Sequence, residues 1–276
     1  MVKFLEHRIA DRRILRLIQK WLNAGVLEDG QRIQSDVGTV QGGSISPLLA
    51  NVYLHYVFDL WVHRWRRREA HGDVIVVRFA DDFAMGFERR DDAERFLAAL
   101  RDRFAQFGLA LHPDKTRLIE FGRFAGATRR ARGEGRPKTF NFLGFTHSCA
   151  KTRKGGFTVR RQTMRTRWQA KLREVKAELR QRLHAPIPEV GAYLRSVVAG
   201  HTRYYGVPFN APAVGAFRLA IARLWHWMLQ RRSQRHRLPW DRMRRLVDRW
   251  LPPARVCHPH PLVRLGVVTQ GKSRMR

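Results

Sequence analysis

Apolar residues recur at helical spacing from the start of the chain. Phe4, Leu5, Ile9, Ile14, Leu17, Ile18, Trp21 and Leu22 form one stripe, which predicts an amphipathic helix over 4–22 with Asn23-Ala24-Gly25 as its stop. Positions 26–40 are mixed and predict a short hairpin or loop. Ser46 and Pro47 then mark a helix start, with Ser46 as N-cap and Pro47 at the first helical position. That helix carries Leu48, Leu49, Val52, Tyr53, Tyr56, Val57, Leu60 and Trp61 and closes on Arg64, Arg66, Arg67 and Arg68, where basic groups suit the helix dipole. Val74 to Val77 are four consecutive β-branched residues, and Phe83 to Phe87 alternates large and small. Both read as strands, with Ala80-Asp81-Asp82 where a hairpin must turn.

Further along, 91–107 predicts an amphipathic helix. Segments 109–111 and 116–121 read as strands around the turn 112–115, and 124–138 reads as a Gly- and Arg-rich loop. Segments 140–145 and 156–160 are again strand-like. After Arg161 the pattern is helical throughout, with helices expected over 163–183, 189–200, 212–232 and 239–250, separated by Pro186, Pro188, Pro208 and Pro239. The order is an α+β half followed by an all-helical half, with the boundary near 150–162.

Charge changes this picture most. The chain has 276 residues, 54 basic and 23 acidic, a net of +31. The excess is uneven: 25 basic and 18 acidic residues lie in 1–150, against 29 and 5 in 151–276. Self-repulsion on that scale opposes compaction unless a polyanion is the normal partner. Nucleic acid is the polyanion that fits, through its phosphates. No run of 18 apolar residues is present, so no spanning helix and no membrane partner are expected. A hydrophobic content of 44% argues against disorder. Two cysteines, Cys149 and Cys257, suggest a reduced, intracellular chain without a disulfide framework, and a bacterial-type cytoplasmic location is expected. Cys257-His258-Pro259-His260 lacks a second ligand pair, which argues against a metal site there.

The candidate chemistry sits in the hairpin. Strand alternation sends neighbouring side chains to opposite faces, but a turn can bring Asp81 and Asp82 near one point. Carboxylates are the hard ligands that Mg²⁺ prefers, usually one or two of them together with substrate phosphates. Aspartate is also common in turns for local hydrogen-bonding reasons, so the pair alone leaves both readings open.

Neighbouring segments carry a resemblance. Gln41-Gly42-Gly43-Ser44-Ile45-Ser46-Pro47-Leu48-Leu49-Ala50-Asn51 resembles the loop–helix motif of reverse transcriptases, particularly those of group II introns. Phe79-Ala80-Asp81-Asp82 resembles their aromatic-Ala-Asp-Asp motif, with Phe79 in place of the commoner tyrosine. Gly108 to Thr116 resembles the motif that follows, and Phe142-Leu143-Gly144-Phe145 the strand leading to the thumb. Through the basic helices the chain also resembles the thumb and maturase region. The resemblance implies a partial right-hand polymerase palm, an antiparallel sheet with helices, over 1–155, and a basic, all-helical thumb/maturase domain over 156–276.

It further implies Asp81 and Asp82 as Mg²⁺ ligands and catalytic carboxylates. Phe79, Gln41, Gly42, Gly43 and Lys115 would lie beside nucleotide and template, and Leu143 and Gly144 on the primer side. The implied partners are intron RNA, template, DNA primer and dNTP. The arginines opposite the apolar helix faces, among them Arg160, Arg161, Arg165, Arg167, Arg231 and Arg232, are the expected RNA contacts. Helical spacing makes Trp168, Trp225, Trp227, Trp240 and Trp250 core residues more readily than stacking platforms.

The family's palm uses three carboxylates, and the first precedes the segment that residues 1–25 resemble; Asp11, Asp29 and Asp36 lie in the wrong context to replace it. The expectation is a chain inactive alone, as a truncated product, the product of a mis-called start, or one half of a split enzyme whose fingers and upstream palm a separate chain supplies; the alternative is an RNA-binding maturase without polymerase activity.

Overall fold

In the computed structural model, which describes residues 1–22, 26–28, 31–33, 45–232 and 238–260, the N-terminal apolar stripe folds as two helices. They are α1 (Val2–Glu6) and α2 (Arg12–Leu22). The break has a local cause: the Arg13 amide donates to Asp11 Oδ1 at 2.7 Å, so Asp11 starts a fresh helix as a capping residue does. The expected stop at Asn23-Ala24-Gly25 lies outside the described residues. Of the hairpin or loop expected over 26–40, the described residues form β1 (Val26–Glu28) paired antiparallel with β2 (Gln31–Ile33), and 29–30 and 34–40 lie outside the described residues.

The chain forms two compact units, Met1–Leu118 and Ile119–Arg276. In the first, α3 (Ser46–Leu54) runs through a π-turn (His55–Asp59) into α4 (Leu60–Arg68). Ser46 is the first helical residue rather than the cap, which is Ile45. Val57 and Phe58, adjacent within the π-turn, are both fully buried. Arg103 of α5 (Arg90–Gln106) donates to the Val57 carbonyl at 3.2 Å, satisfying backbone inside the irregular turn. Phe96, Leu100 and Phe104 of α5 meet Val57, Phe58, Val62 and Trp65 in one core.

The strands β3 (Val74–Phe79) and β4 (Asp82–Phe87) pair antiparallel, with Phe79 opposite Asp82. Their inner face, Val74, Val76, Phe83, Met85 and Phe87, packs on the same core. The strands expected at 109–111 and 116–121 form no ladder. Leu109 and Leu111 instead cover the core as extended chain. Apolar alternation specifies a buried face, but a strand also needs a neighbour to take its hydrogen bonds.

In the second unit the expected 124–138 loop contains a short helix, α6 (Ala125–Ala131). β5 (Phe140–Phe142), β6 (Phe145–Lys151) and β7 (Phe157–Thr163) form a three-stranded antiparallel sheet in that order. Helices α7 (Arg165–Gln181), α8 (Ile187–Tyr205), α9 (Ala211–Gln230) and α10 (Trp240–Trp250) follow, close to the expected boundaries. Their core joins Val175, Leu179, Leu194, Phe217, Ile221, Trp225, Met228 and Met243. Trp225 is fully buried, Trp168, Trp227 and Trp250 pack at the core's edge, and Trp240 is exposed.

Two polar or small residues fix the helices. Buried Asn210 accepts from the Thr163 amide at 3.0 Å and donates to Thr163 Oγ1 and the Tyr205 carbonyl at 2.9 and 2.8 Å. It thereby ties the end of β7 to the end of α8. Gly191 of α8 lies against the Trp250 indole so closely that a Cβ would stand 2.4 Å from a ring carbon.

Candidate active site

The β3–β4 register leaves Ala80 and Asp81 as a two-residue hairpin turn. Such turns match strand twist when their residues adopt positive φ. Ala80 does so at φ 54° although it is not glycine, a conformation that costs an L-residue roughly 1–2 kcal/mol. Asp81 is thus at the tip and Asp82 is the first residue of β4, both exposed. Asp82 shares the outward face of the hairpin with Phe79, Val77 and Ile75, which are 63%, 49% and 56% exposed. The structure therefore brings Phe79, Asp81 and Asp82 to one hairpin end, as the sequence led us to expect.

Arg78 holds that end in place. By alternation it points inward, opposite Phe83, and a charge on a core-facing position needs partners. Its Nε and Nη2 bind Asp59 Oδ1 and Oδ2 at 2.7 and 2.6 Å, a bidentate pair onto the π-turn. Its Nη1 donates to Asn51 Oδ1 at 2.9 Å and to the Ala80 carbonyl at 2.8 Å. Asp59 raises the pKa of the guanidinium through this hydrogen bond, against the lowering effect of burial. Asn51, Asp59 and Arg78 were not singled out from sequence. The readable signal was an arginine in phase with Val74 and Val76 on the buried side of a strand.

Neither Asp81 nor Asp82 has an ion-pair partner among the described residues. Two solvent-facing carboxylates free of cationic partners are a donor set that fits a partly hydrated Mg²⁺ shared with phosphates. A separate group, His71, Asp91 and Asp92, has its ligand atoms within 4.8 Å of one another. It does not fit a metal as well, because arginine and backbone donors already occupy it. Buried Asp92 accepts from the His71 and Gly72 amides at 2.9 Å each and from Arg95, and Asp91 pairs with Arg89 at 3.1 Å. Burial pushes the Asp92 carboxyl up, but these donors outweigh it and hold the pKa below its ordinary value. The group braces the loop before β3 to the start of α5.

Lys115 lies exposed in the turn 112–116 of the same unit. No hydrogen bond or ion pair among the described residues links it to Asp81 or Asp82. Gln41, Gly42 and Gly43 lie outside the described residues.

In the second unit, Leu143 and Gly144 are a tight turn between β5 and β6 rather than the interior of one strand. Both have positive φ, 48° and 75°, and Phe142 pairs with Phe145 across them. The turn is clamped: Tyr204 Oη donates to the Leu143 carbonyl at 2.9 Å, and the Met164 amide donates to the Gly144 carbonyl at 3.0 Å. A Cβ on Gly144 would meet Tyr205 Oη at 2.9 Å, so glycine is needed there for space as well as for φ.

The expected RNA-contact arginines separate. Arg160, Arg165, Arg167 and Arg231 are exposed. Arg161 is half-buried on β7, and burial lowers its pKa. Arg232 donates to the Ala185 carbonyl at 2.7 Å and is likewise half-buried, which gives it a role in bracing the α7–α8 connection. The His258 ring lies 2.6 Å from the Arg203 carbonyl, a local use for one member of the Cys257–His260 stretch.

A family model of reverse transcriptases (RNA-dependent DNA polymerases) matches residues 2–147, and the chain belongs to that family. Over 55 residues, 20% of the chain, it is 46% identical to a 91 kDa protein in the cob intron of Schizosaccharomyces pombe, covering 7% of that protein. The group II intron-encoded protein LtrA of Lactococcus lactis subsp. cremoris matches at the same identity over 55 residues, 9% of its length. Protein YkfC of Escherichia coli K12 is 38% identical over 63 residues, 16% of its length. The matched stretches thus span under a tenth of the first two relatives. No helix among the described residues is long and apolar enough to cross a membrane.

Proposed function

We propose that the chain is part of a group II intron-type reverse transcriptase, with palm elements over 1–155 and basic thumb/maturase elements over 156–276. The observation that carries this reading is the β3–β4 tip, where Asp81 and Asp82 stand free of cations on a turn anchored by Arg78. Asp81, at the apex, is the direct Mg²⁺ ligand, and Asp82 supports it from the first position of β4. Magnesium, when bound, would stabilise negative charge on the attacking 3′-hydroxyl and the departing pyrophosphate of an incoming dNTP. Phe79 offers its exposed ring to the primer or template backbone. Lys115 is the point charge for nucleotide phosphate, and Gln41, Gly42 and Gly43 border the nucleotide. Leu143 and Gly144 form the primer-side turn, whose backbone is held by the Tyr204 hydroxyl and the Met164 amide.

A second reading, RNA binding of the maturase type without synthesis, is favoured by a different observation. The residues from 151 onward hold 29 basic and 5 acidic side chains, a balance suited to structured RNA. On that reading Arg160, Arg161, Arg165, Arg167, Arg231 and Arg232 contact intron RNA while the carboxylates stand unused.

Primer extension on an RNA template with Mg²⁺, comparing the wild type with Asp81→Asn, separates the two. Synthesis that is lost in the variant is the result expected of a polymerase. RNA binding with no synthesis, restored when fingers and upstream palm are supplied as a separate chain, identifies one part of a two-chain polymerase. Binding with no restoration supports the maturase reading and refutes the polymerase one.

A further inference from the structure

Three of the seven cations that lie over aromatic rings among the described residues also serve a protein acceptor, and Arg249, over Trp250, does not. Arg103, over Phe107, donates to the Val57 carbonyl. Arg182, over Tyr193, pairs with Glu178 and Glu189. Arg195, over Trp250, donates to the Arg249 and Trp250 carbonyls at the end of α10. Trp227 differs. Lys176 Nζ, Arg180 Cζ and Arg231 Cζ lie 5.3, 5.9 and 4.7 Å from its ring centroid. None of these three cations has a carboxylate or carbonyl partner among the described residues.

The sequence of the two helices explains why. The acidic residues of α7, Glu174 and Glu178, pair with Lys171 and Arg182, and α9 has no acidic residue at all. Arg173, Lys176 and Arg180 follow i, i+3, i+7 spacing and share one face of α7, while Arg223, Trp227 and the C-cap residue Arg231 follow i, i+4, i+8 along α9. These two helices pack against each other, and the five cations are exposed. Like charges gathered about one ring repel, and among the described residues no carboxylate pairs with them at this place. Cation–π contact with the indole holds the side-chain ends in position at about 0.5–1 kcal/mol each where exposed. A row of seven residues spans about 10 Å, enough to face roughly three phosphates of one strand.

We propose that this α7–α9 face, with Lys176, Arg180 and Arg231 gathered on Trp227 at its centre, binds the phosphodiester backbone of nucleic acid. The proposal rests on the reading of the basic half as a nucleic-acid-binding region and assigns the surface that does it. The indole acts as a scaffold for the cations, so the face reads charge and spacing rather than base sequence.

The test measures binding of the full chain to a fluorescent RNA hairpin, and to a DNA hairpin of the same sequence, across a potassium chloride series. The variant replaces Lys176, Arg180 and Arg231 with Gln. A charge-matched control replaces the exposed Arg12, Arg13 and Arg16 with Gln. Circular dichroism melts show whether both fold, and Lys176→Glu alone serves if the triple variant does not. We expect the slope of log K against log salt to become shallower by about 2–3 in the α7–α9 variant, at 0.7–0.9 per phosphate contact, with RNA and DNA affected alike. The control slope should move by less than one contact. Equal losses in both triples, or an unchanged slope in the α7–α9 variant, overturn the assignment of this face. A loss confined to RNA or to DNA overturns its backbone character. A wild-type chain that binds neither hairpin overturns the nucleic-acid reading itself.

Discussion

Replacing Arg78 with Met keeps the length of the side chain and removes all four of its hydrogen bonds. Two of these form a bidentate, charge-assisted pair with Asp59 in which the side chains are only 15% and 31% exposed. An exposed ion pair contributes under about 1 kcal/mol, whereas breaking a buried one costs about 3–5 kcal/mol. The partial burial here places the loss between these, near 2–3 kcal/mol. The damage should be local, since Arg78 ties the hairpin to the π-turn and to Asn51. Hydrogen exchange read by mass spectrometry on peptides covering 74–87 reports that local opening. At 1.4 kcal/mol per tenfold, the amides of β3 and β4 should exchange about 30- to 140-fold faster. The double-mutant cycle with Asp59→Asn isolates the pair and should give a coupling of about 1–2 kcal/mol. A coupling below about 0.5 kcal/mol, or exchange unchanged over 74–87, would refute the view that Arg78 fixes the carboxylate turn.

Three further outcomes follow from the second unit. Gly191→Ala drives a methyl into the Trp250 indole and should lower stability by about 1–3 kcal/mol. A denaturation midpoint unchanged from wild type would mean that α8 and α10 approach less closely. Asn210→Ala leaves the half-buried Thr163 amide without its acceptor, while the Tyr205 carbonyl keeps the Val207 amide at 2.8 Å, and urea titration should show a loss of about 1–3 kcal/mol; a loss under about 0.5 kcal/mol would show that another group satisfies the amide. His201 is buried, stacked on Phe217 at 3.6 Å, and burial, helped by the charge of Lys171, depresses its pKa to about 4. Its folded pKa lies below the unfolded value of 6.5, so the folded state holds fewer protons. Stability should therefore be full above pH 6.5 and decline as pH falls toward 4, by up to about 3 kcal/mol. His201→Phe should flatten that decline in melts between pH 7 and 4, and an equally steep decline would assign it to other groups.

The sequence by itself determined the elements with strong periods and the chemistry that local order can carry. Four β-branched residues, two aspartates and an alternating run sufficed for the hairpin, because a two-residue turn is a local structure. The four C-terminal helices were legible for the same reason, since proline and the 3.6-residue period act within a few positions. The apolar stripe continues across Asp11 and predicts one longer helix, and only the hydrogen bond to Arg13 reveals the break. The 109–121 strands failed because a ladder depends on a neighbour distant in sequence. Phe142 to Phe145 was read as one strand, but its middle residues have positive φ and turn back, held by Tyr204 from some 60 positions away. The roles of Arg78, Asn51 and Asp59 arose only when a strand and a helix were packed together. Likewise the gathering of three cations on Trp227 needed α7 beside α9. Local spacing fixes which face a side chain takes, but the partner it meets there is set by chain packing between residues far apart in sequence.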